Sequence, residues 1–213
     1  MTDRNVPSRL PVGVTEEGDG IMIGAGQVRV DAFIDFLCPF CRRFEQSSGQ
    51  TLARLVADGQ ISLVYHPMNF LDQASTTNYS TRAAAASGCA ADGGHFVEYA
   101  HALFASQPPE GGPGLSDAEL AGLGHTVGLP GSTFTACLSD GPYLDWPPYV
   151  TERAIALGIE ATPTVLVAGT PVRPEARSIA TAVAGVAGAR LTPGTSSEEG
   201  APRRSARVAN LDL

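Results

Sequence analysis

Cys38 and Cys41 stand three residues apart at the seam between two kinds of pattern, and this placement restricts the fold of the chain more tightly than its composition does. Before them, IMIGAGQVRVDAFIDF (21–36) reads as a short strand, a Gly turn and a second strand rich in Val, Ile and Phe, the second expected to be central. After them, Phe40, Phe44, Leu52, Leu55 and Val56 recur at helical spacing over residues 39–58, with Asp58-Gly59 as C-cap. ISLVYH (61–66) follows as a β-rich run stopped by Pro67. Strand, helix and strand in this order make a βαβ unit with a parallel pair and a right-handed crossover, so the fold class is α/β.

The chemistry of such a pair follows from its position. Backbone N–H groups at a helix N-terminus are unsatisfied and lie at the positive end of the helix dipole, so a Cys38 thiolate is stabilised and its pKa falls. Pro39 suits the first helical position, where its missing N–H costs nothing. Helical residues three apart share a face, which brings Cys41 close enough to Cys38 for a disulfide. Arg42 and Arg43 add positive charge nearby. The pair therefore reads as a redox dithiol in which Cys38, the more exposed, attacks and Cys41 resolves the mixed disulfide. The competing readings are half of a zinc site or two structural thiols. Zinc needs four ligands, and here Cys89 and Cys137 are isolated in sequence and the nearest histidine is His66.

From about 75 to 157 the β signal disappears and Ala-rich segments alternate with loops; Ser116 and Glu119 have the spacing of a capping box. IEATPTVLVAGTPV (159–172) then reads as a strand, a Gly169-Thr170 turn and a short strand, before a terminal helix from near Pro174. The expected organisation is an α/β unit from 21–74 and 158–191, interrupted by a helical subdomain at 75–157. Residues 1–20 and 192–213 lack periodicity and are expected as a mobile N-terminal segment and a disordered tail.

The 213 residues are 43% hydrophobic and 17% charged, enough apolar matter for a core, and the net charge of −8 disfavours nucleic acid or an anionic membrane as partner. No apolar run is long enough for a membrane span, and the first residues carry no signal-peptide core, so the chain as written reads as cytoplasmic. The four histidines share no site: His95 and His101 are six apart on one helix and so on different faces, and His66 and His125 stand alone.

Four segments together resemble a known family. They are Phe33–Cys41 with Phe44-Glu45, Val64–Asp72, His95–Ala105 and Gly158–Thr164, spread along most of residues 21–172. In them the chain is similar to the DsbA-type thioredoxin-like thiol:disulfide oxidoreductases, in the actinobacterial-type branch. The resemblance implies a thioredoxin-like fold with an inserted all-helical subdomain. It implies protein thiol or disulfide substrates, an unidentified redox partner, no cofactor or metal, a monomer, and work outside the cytoplasm. Pro163 matches the family's cis proline, whose setting exposes the Thr162 backbone to an extended substrate peptide beside Cys38, with Phe40 as an exposed aromatic contact. A structural disulfide between Cys89 and Cys137 is also implied; the residues alone leave two separate buried thiols open as the alternative.

Two departures bear on the redox tuning. Many thioredoxin-fold enzymes have a buried carboxylate six residues before the first cysteine, where this chain has Ala32. Strand alternation puts Asp31 and Asp35 on the face opposite Ala32, and Asp35 is the candidate for an altered proton relay, or else for a cap of the active-site helix. Strongly oxidising members have His where this chain has Phe40, which implies a less stabilised thiolate and a weaker oxidant. Oxidation of substrates is the favoured direction. The alternatives are a cytosolic reductant of the same fold, and a non-catalytic peptide-binding module in which Cys38 and Cys41 form a structural staple.

Overall fold

Val28–Ile34 is apolar at five of seven positions, and strands of that kind are stable only when both faces are covered. The computed structural model, which describes residues 6–191, puts this strand, β2, at the centre of a five-stranded sheet. β1 (Ile21–Ile23) and β3 (Ile61–Pro67) lie on one side, β4 (Thr164–Val167) and β5 (Thr170–Val172) on the other, in the order β1-β3-β2-β4-β5. Only β2 and β3 are parallel. The crossover between them is α1 (Pro39–Ala57), which ends at Asp58 with Gly59 in the left-handed conformation. The tail at 192–213 lies outside the described residues, as do residues 1–5.

Six further helices follow: α2 (Tyr79–Asp92), α3 (Phe96–Ala105), α4 (Asp117–Thr126), α5 (Gly131–Asp140) and α6 (Trp146–Ala156) between β3 and β4, and α7 (Ala176–Leu191) after β5. α2 is the hub of the insertion, in contact with α3, α4, α5 and α6. Its buried Ala83, Ala84, Ala85, Ala86 and Gly88 explain why, because small side chains let several helices approach one axis. α4 starts in the expected capping box of Ser116 and Glu119. The turn between β4 and β5 is one residue earlier than read from the sequence. It consists of Ala168 and Gly169, with φ of 47° and 77°, and Thr170 opens β5. A two-residue hairpin turn of this type needs positive φ at both positions.

Residues 6–20 correct the expectation of a mobile N-terminal segment. This stretch is irregular but packed: Val14 bridges to Ile21, and Thr15 and Asp19 are buried. Trp146 Nε1 donates to Gly18 O at 2.9 Å and Tyr149 OH to Glu17 O at 2.7 Å. His66, buried on β3, places Nδ1 2.7 Å from Asp19 O and Nε2 3.0 Å from Asp31 Oδ1, and its ring stacks on Phe33. The Asp19 carboxylate accepts from Thr15 Oγ1 at 2.9 Å and pairs with Arg153 Nε at 3.0 Å. Buried donors such as a fully enclosed indole N–H need a protein acceptor, and the segment supplies it. It holds no hydrophobic period because its work is done by backbone carbonyls.

The sulfurs of Cys89 in α2 and Cys137 in α5 lie 2.07 Å apart, with a Cα–Cα distance of 6.0 Å. Phe134 is the buried side chain of α5, which packs against α4 and α2. Closing a loop of 48 residues stabilises by about 4 kcal/mol in the chain-entropy model. Cys137→Ala is expected to lose up to that amount in urea unfolding, with α5 the first segment to exchange its amide protons. Asp19→Ala removes the acceptor of the buried Thr15 hydroxyl and one partner of Arg153, and is expected to cost about 1–3 kcal/mol in the same measurement.

Candidate active site

β2 delivers the chain to the sheet's carboxyl edge at Ile34, and four residues, Asp35 to Cys38, carry it into α1. Cys38 is the N-cap residue itself, with extended φ and ψ of −70° and 118°, so it stands one position earlier than a first-turn residue. Pro39 then opens the helix. At an N-cap, Ser or Asp oxygen accepts from the second and third helical N–H groups; here a sulfur faces those groups, which belong to Phe40 and Cys41.

Cys38 is only 4% exposed, more enclosed than the sequence suggested, while Cys41 is fully buried. The Cys38 thiol is nonetheless held well below its ordinary range, at about 6. The Cys41 thiol, as hydrogen-bond donor to the Cys38 sulfur, is the largest cause; burial opposes it, and the Thr162 side chain and the Cys41 and Phe40 N–H groups add to it. No side-chain hydrogen bond of standard geometry caps α1, in keeping with the small share of the two N–H groups. The Thr162 carbonyl accepts from the Cys38 Sγ–H at 3.3 Å, a contact open to the thiol alone, which the donors to sulfur outweigh. Cys41 shifts the other way. Burial pushes its thiol well above the usual value, and the neighbouring Cys38 adds to the shift. The two sulfurs are thus chemically unequal before any substrate arrives.

Asp35 lies beyond the end of β2, so strand alternation does not set its direction. Its buried carboxylate accepts from Leu37 N at 2.8 Å and Ser80 Oγ at 2.7 Å through Oδ1, and from Leu71 N at 2.9 Å through Oδ2. It therefore does not cap α1. Its link to Cys41 runs through its own backbone N–H, 3.4 Å from Cys41 Sγ. Burial raises its carboxyl to about 6 despite those three donors. Asp31 turns to His66 and Arg29; burial raises its carboxyl, but the hydrogen bonds from those two side chains bring the net shift below the ordinary value. Ala32 pairs with Tyr65 and Val165 across the sheet and is enclosed by apolar neighbours.

The Thr162-Pro163 peptide bond is cis, immediately before β4. Because β4 lies between β2 and β5, with Thr164 opposite Phe33, Pro163 is not at a sheet edge but beside the end of the central strand. Phe40 projects from the rim, 59% exposed, under the Arg43 guanidinium at 4.6 Å from its ring centre. It separates two open cavities. One of about 680 Å³ runs along Arg43, Phe44, Thr162 and Pro163, and one of about 410 Å³ has Cys38 in its wall with Phe70, Leu71, Glu110 and Glu160.

Cys38, Pro39, Phe40, Cys41, Asp35, Thr162 and Pro163 converge here, whereas Cys89 and Cys137 lie apart in the helical insertion. Sharing a bond with each other, those two are not placed to complete a zinc site. Among the described residues no three His, Cys, Asp or Glu side chains gather as metal ligands. His101 pairs with Glu45 between α3 and α1, and that carboxylate raises its pKa. Sequence reading missed Gln107, which donates from Nε2 to both Phe36 O, at 2.9 Å, and Cys38 O, at 3.0 Å. A glutamine 69 positions away leaves no periodic signal.

The family model described as Thioredoxin matches residues 16–182. The chain is 39% identical over 132 residues to the serine/threonine-protein kinase PknE of Mycobacterium tuberculosis; the match takes in 58% of this chain but spans only 23% of that kinase's length. Its structure superimposes on the reduced form of the disulfide bond oxidoreductase DsbG from M. tuberculosis with a TM-score of 0.71 and 32% identity, covering 81% of this chain and 89% of that one. For reduced DsbA from M. tuberculosis the values are 0.64 and 31%, covering 78% of this chain and 98% of the other. A family match over most of the chain and two superpositions above 30% identity lead to one statement: the chain belongs to the thioredoxin family, among the DsbA-type thiol-disulfide oxidoreductases.

Proposed function

We propose that the protein exchanges a Cys38–Cys41 disulfide with cysteines of protein substrates, and that it acts chiefly as an oxidant. The observation that carries this is the inequality of the two sulfurs: Cys38 ionises at about 6 and Cys41 stays a thiol. In the oxidised enzyme a substrate thiolate attacks Cys38 Sγ. The Cys38–Cys41 bond breaks, its electron pair leaves with Cys41 Sγ, which takes up a proton, and a mixed disulfide forms. A second substrate thiolate then attacks the substrate sulfur of that bond, Cys38 departs as a stable thiolate, and substrate is oxidised while enzyme is reduced. The low pKa makes Cys38 the good leaving group that this last step needs. The redox partner that reoxidises the pair is a separate disulfide donor.

Asp35 is read as the redox-tuning group: its charge, beside the Cys38 thiolate, opposes it slightly, and its backbone N–H stabilises a Cys41 thiolate. The cavities beside Phe40 and the cis peptide at Pro163 are the substrate surface, with the Thr162 backbone able to pair with an extended peptide. Cys89–Cys137 is assigned a structural role.

The strength of oxidation follows from magnitude. Cysteine thiols ionise near 3.5 in the most oxidising family members and about 7 in thioredoxin. A value of about 6 lies toward the thioredoxin end, in keeping with a Phe40 side chain that offers no donor. At neutral pH it still favours the reduced form by roughly 1–2 kcal/mol over an unperturbed dithiol.

Thiolate absorbance of reduced protein is expected to titrate with a midpoint near 6, and Cys41→Ser to trap a substrate adduct through Cys38. An adduct in Cys38→Ser instead overturns the assignment of attacking and resolving thiols, whereas Cys38 needing denaturation before alkylation favours the staple reading. Reduced protein should melt above oxidised protein at pH 8. Because the folded pKa of Cys38 is depressed, its contribution is complete above the unfolded value near 9 and disappears as pH falls through about 6, so the melting gap should shrink toward pH 5. An oxidised form that melts higher throughout identifies a reductant.

A further inference from the structure

Gln107 follows α3, which stops at Ala105, and precedes Pro108 and Pro109. A residue before proline is driven out of the helical region, so the chain leaves α3 extended and the Gln107 side chain is free to turn back on the Asp35–Cys38 loop. The loop approaches α3 where Phe104 packs on Phe36 with ring centres 5.1 Å apart. Gln107 is half-buried there, and its amide nitrogen has two protons for two carbonyls.

Those carbonyls are informative. Cys38 O is the first acceptor of α1, taking the Arg42 N–H at 3.2 Å, so a second donor on it fixes the N-cap residue that carries the reactive sulfur. Phe36 O belongs to the peptide unit whose N–H is that of Leu37, and Leu37 N–H donates to Asp35 Oδ1, which also takes the Ser80 hydroxyl. Gln107, the Phe36-Leu37 peptide, Asp35 and Ser80 thus form one hydrogen-bonded chain, in which each donor polarises the next. Both ends, Gln107 and Ser80, belong to the helical insertion.

We propose that Gln107 is a positioning residue for Cys38: by holding Phe36 O and Cys38 O it fixes the N-cap geometry in which the Cys38 thiolate meets its donors. The proposal rests on the reading of Cys38 as the reactive thiol. Without the clamp, Cys38 and the Phe36-Leu37 peptide move more freely, the sulfur spends less time against the Cys41 thiol and the Phe40 and Cys41 N–H groups, and its ionisation weakens. Gln107→Leu keeps the shape and removes both donors. Gln107→Glu sets a carboxylate against two carbonyl oxygens.

The test is the thiolate absorbance titration of reduced protein, with the glutathione exchange equilibrium as second readout. Gln107→Leu is expected to weaken Cys38 ionisation by about threefold, a midpoint rise of about half a unit. Gln107→Glu should raise it further, and the exchange equilibrium should move toward the oxidised enzyme in both. In the wild-type protein the Gln107 side-chain amide resonances should shift with the Cys38 midpoint, a measurement that does not depend on either variant folding. Variants that melt lower but titrate and exchange as wild type, or amide resonances unmoved through the Cys38 titration, overturn the proposal. A wild-type Cys38 that does not ionise below its ordinary range defeats the reading beneath it, and is distinguishable because it is seen before any substitution at Gln107.

Discussion

A sulfur atom stands where an oxygen ordinarily begins a helix, and the active site is organised around that substitution. An N-cap residue must be extended, must be followed by residues that accept helical φ, and must face the first free N–H groups. The Cys38-Pro39 dipeptide meets these conditions at the end of the central strand, where the sheet fixes the position of the chain from both sides. Cys41 then has no choice of location. Three positions on, it lies inside the first turn, out of water, and its thiol becomes the neighbour that makes Cys38 acidic.

The connection between strand and helix satisfies its backbone groups partly through Asp35, its own first residue, and partly from elsewhere. Leu37 N and Leu71 N share the Asp35 carboxylate, Cys38 N returns to Asp35 O, and Gln107 serves Phe36 and Cys38. A buried carboxylate is expensive to keep ionised, which is why that of Asp35 sits near 6 despite three donors. Its return is geometrical: one side chain joins the end of β2, the segment after β3 and the first turn of α2. The sheet and the helical insertion meet beside Cys38 and Cys41 through that joint.

What the sequence disclosed and what it concealed divide along a physical line. β2, α1 and β3 were legible because burial of one face or both imposes a period on apolar residues, and Ser116 with Glu119 because a capping box has fixed spacing. The turn at Ala168 was misplaced because Ala rarely adopts positive φ, so Gly169 alone drew the reading. The packed segment at residues 6–20, the tasks of Asp35 and the grip of Gln107 depend on single polar contacts between distant positions, with no repeat to betray them. Asp35 shows the limit well: its type and neighbourhood were visible, but its direction is fixed by Leu71 and Ser80, which no local pattern connects to it.

Phe40 holds a largely exposed ring at the rim of the cleft beside Cys38. The guanidinium of Arg43 lies over that ring. Stacked there, the planar cation covers one face of the ring, so a group that packs on Phe40 must use the other face or displace the guanidinium.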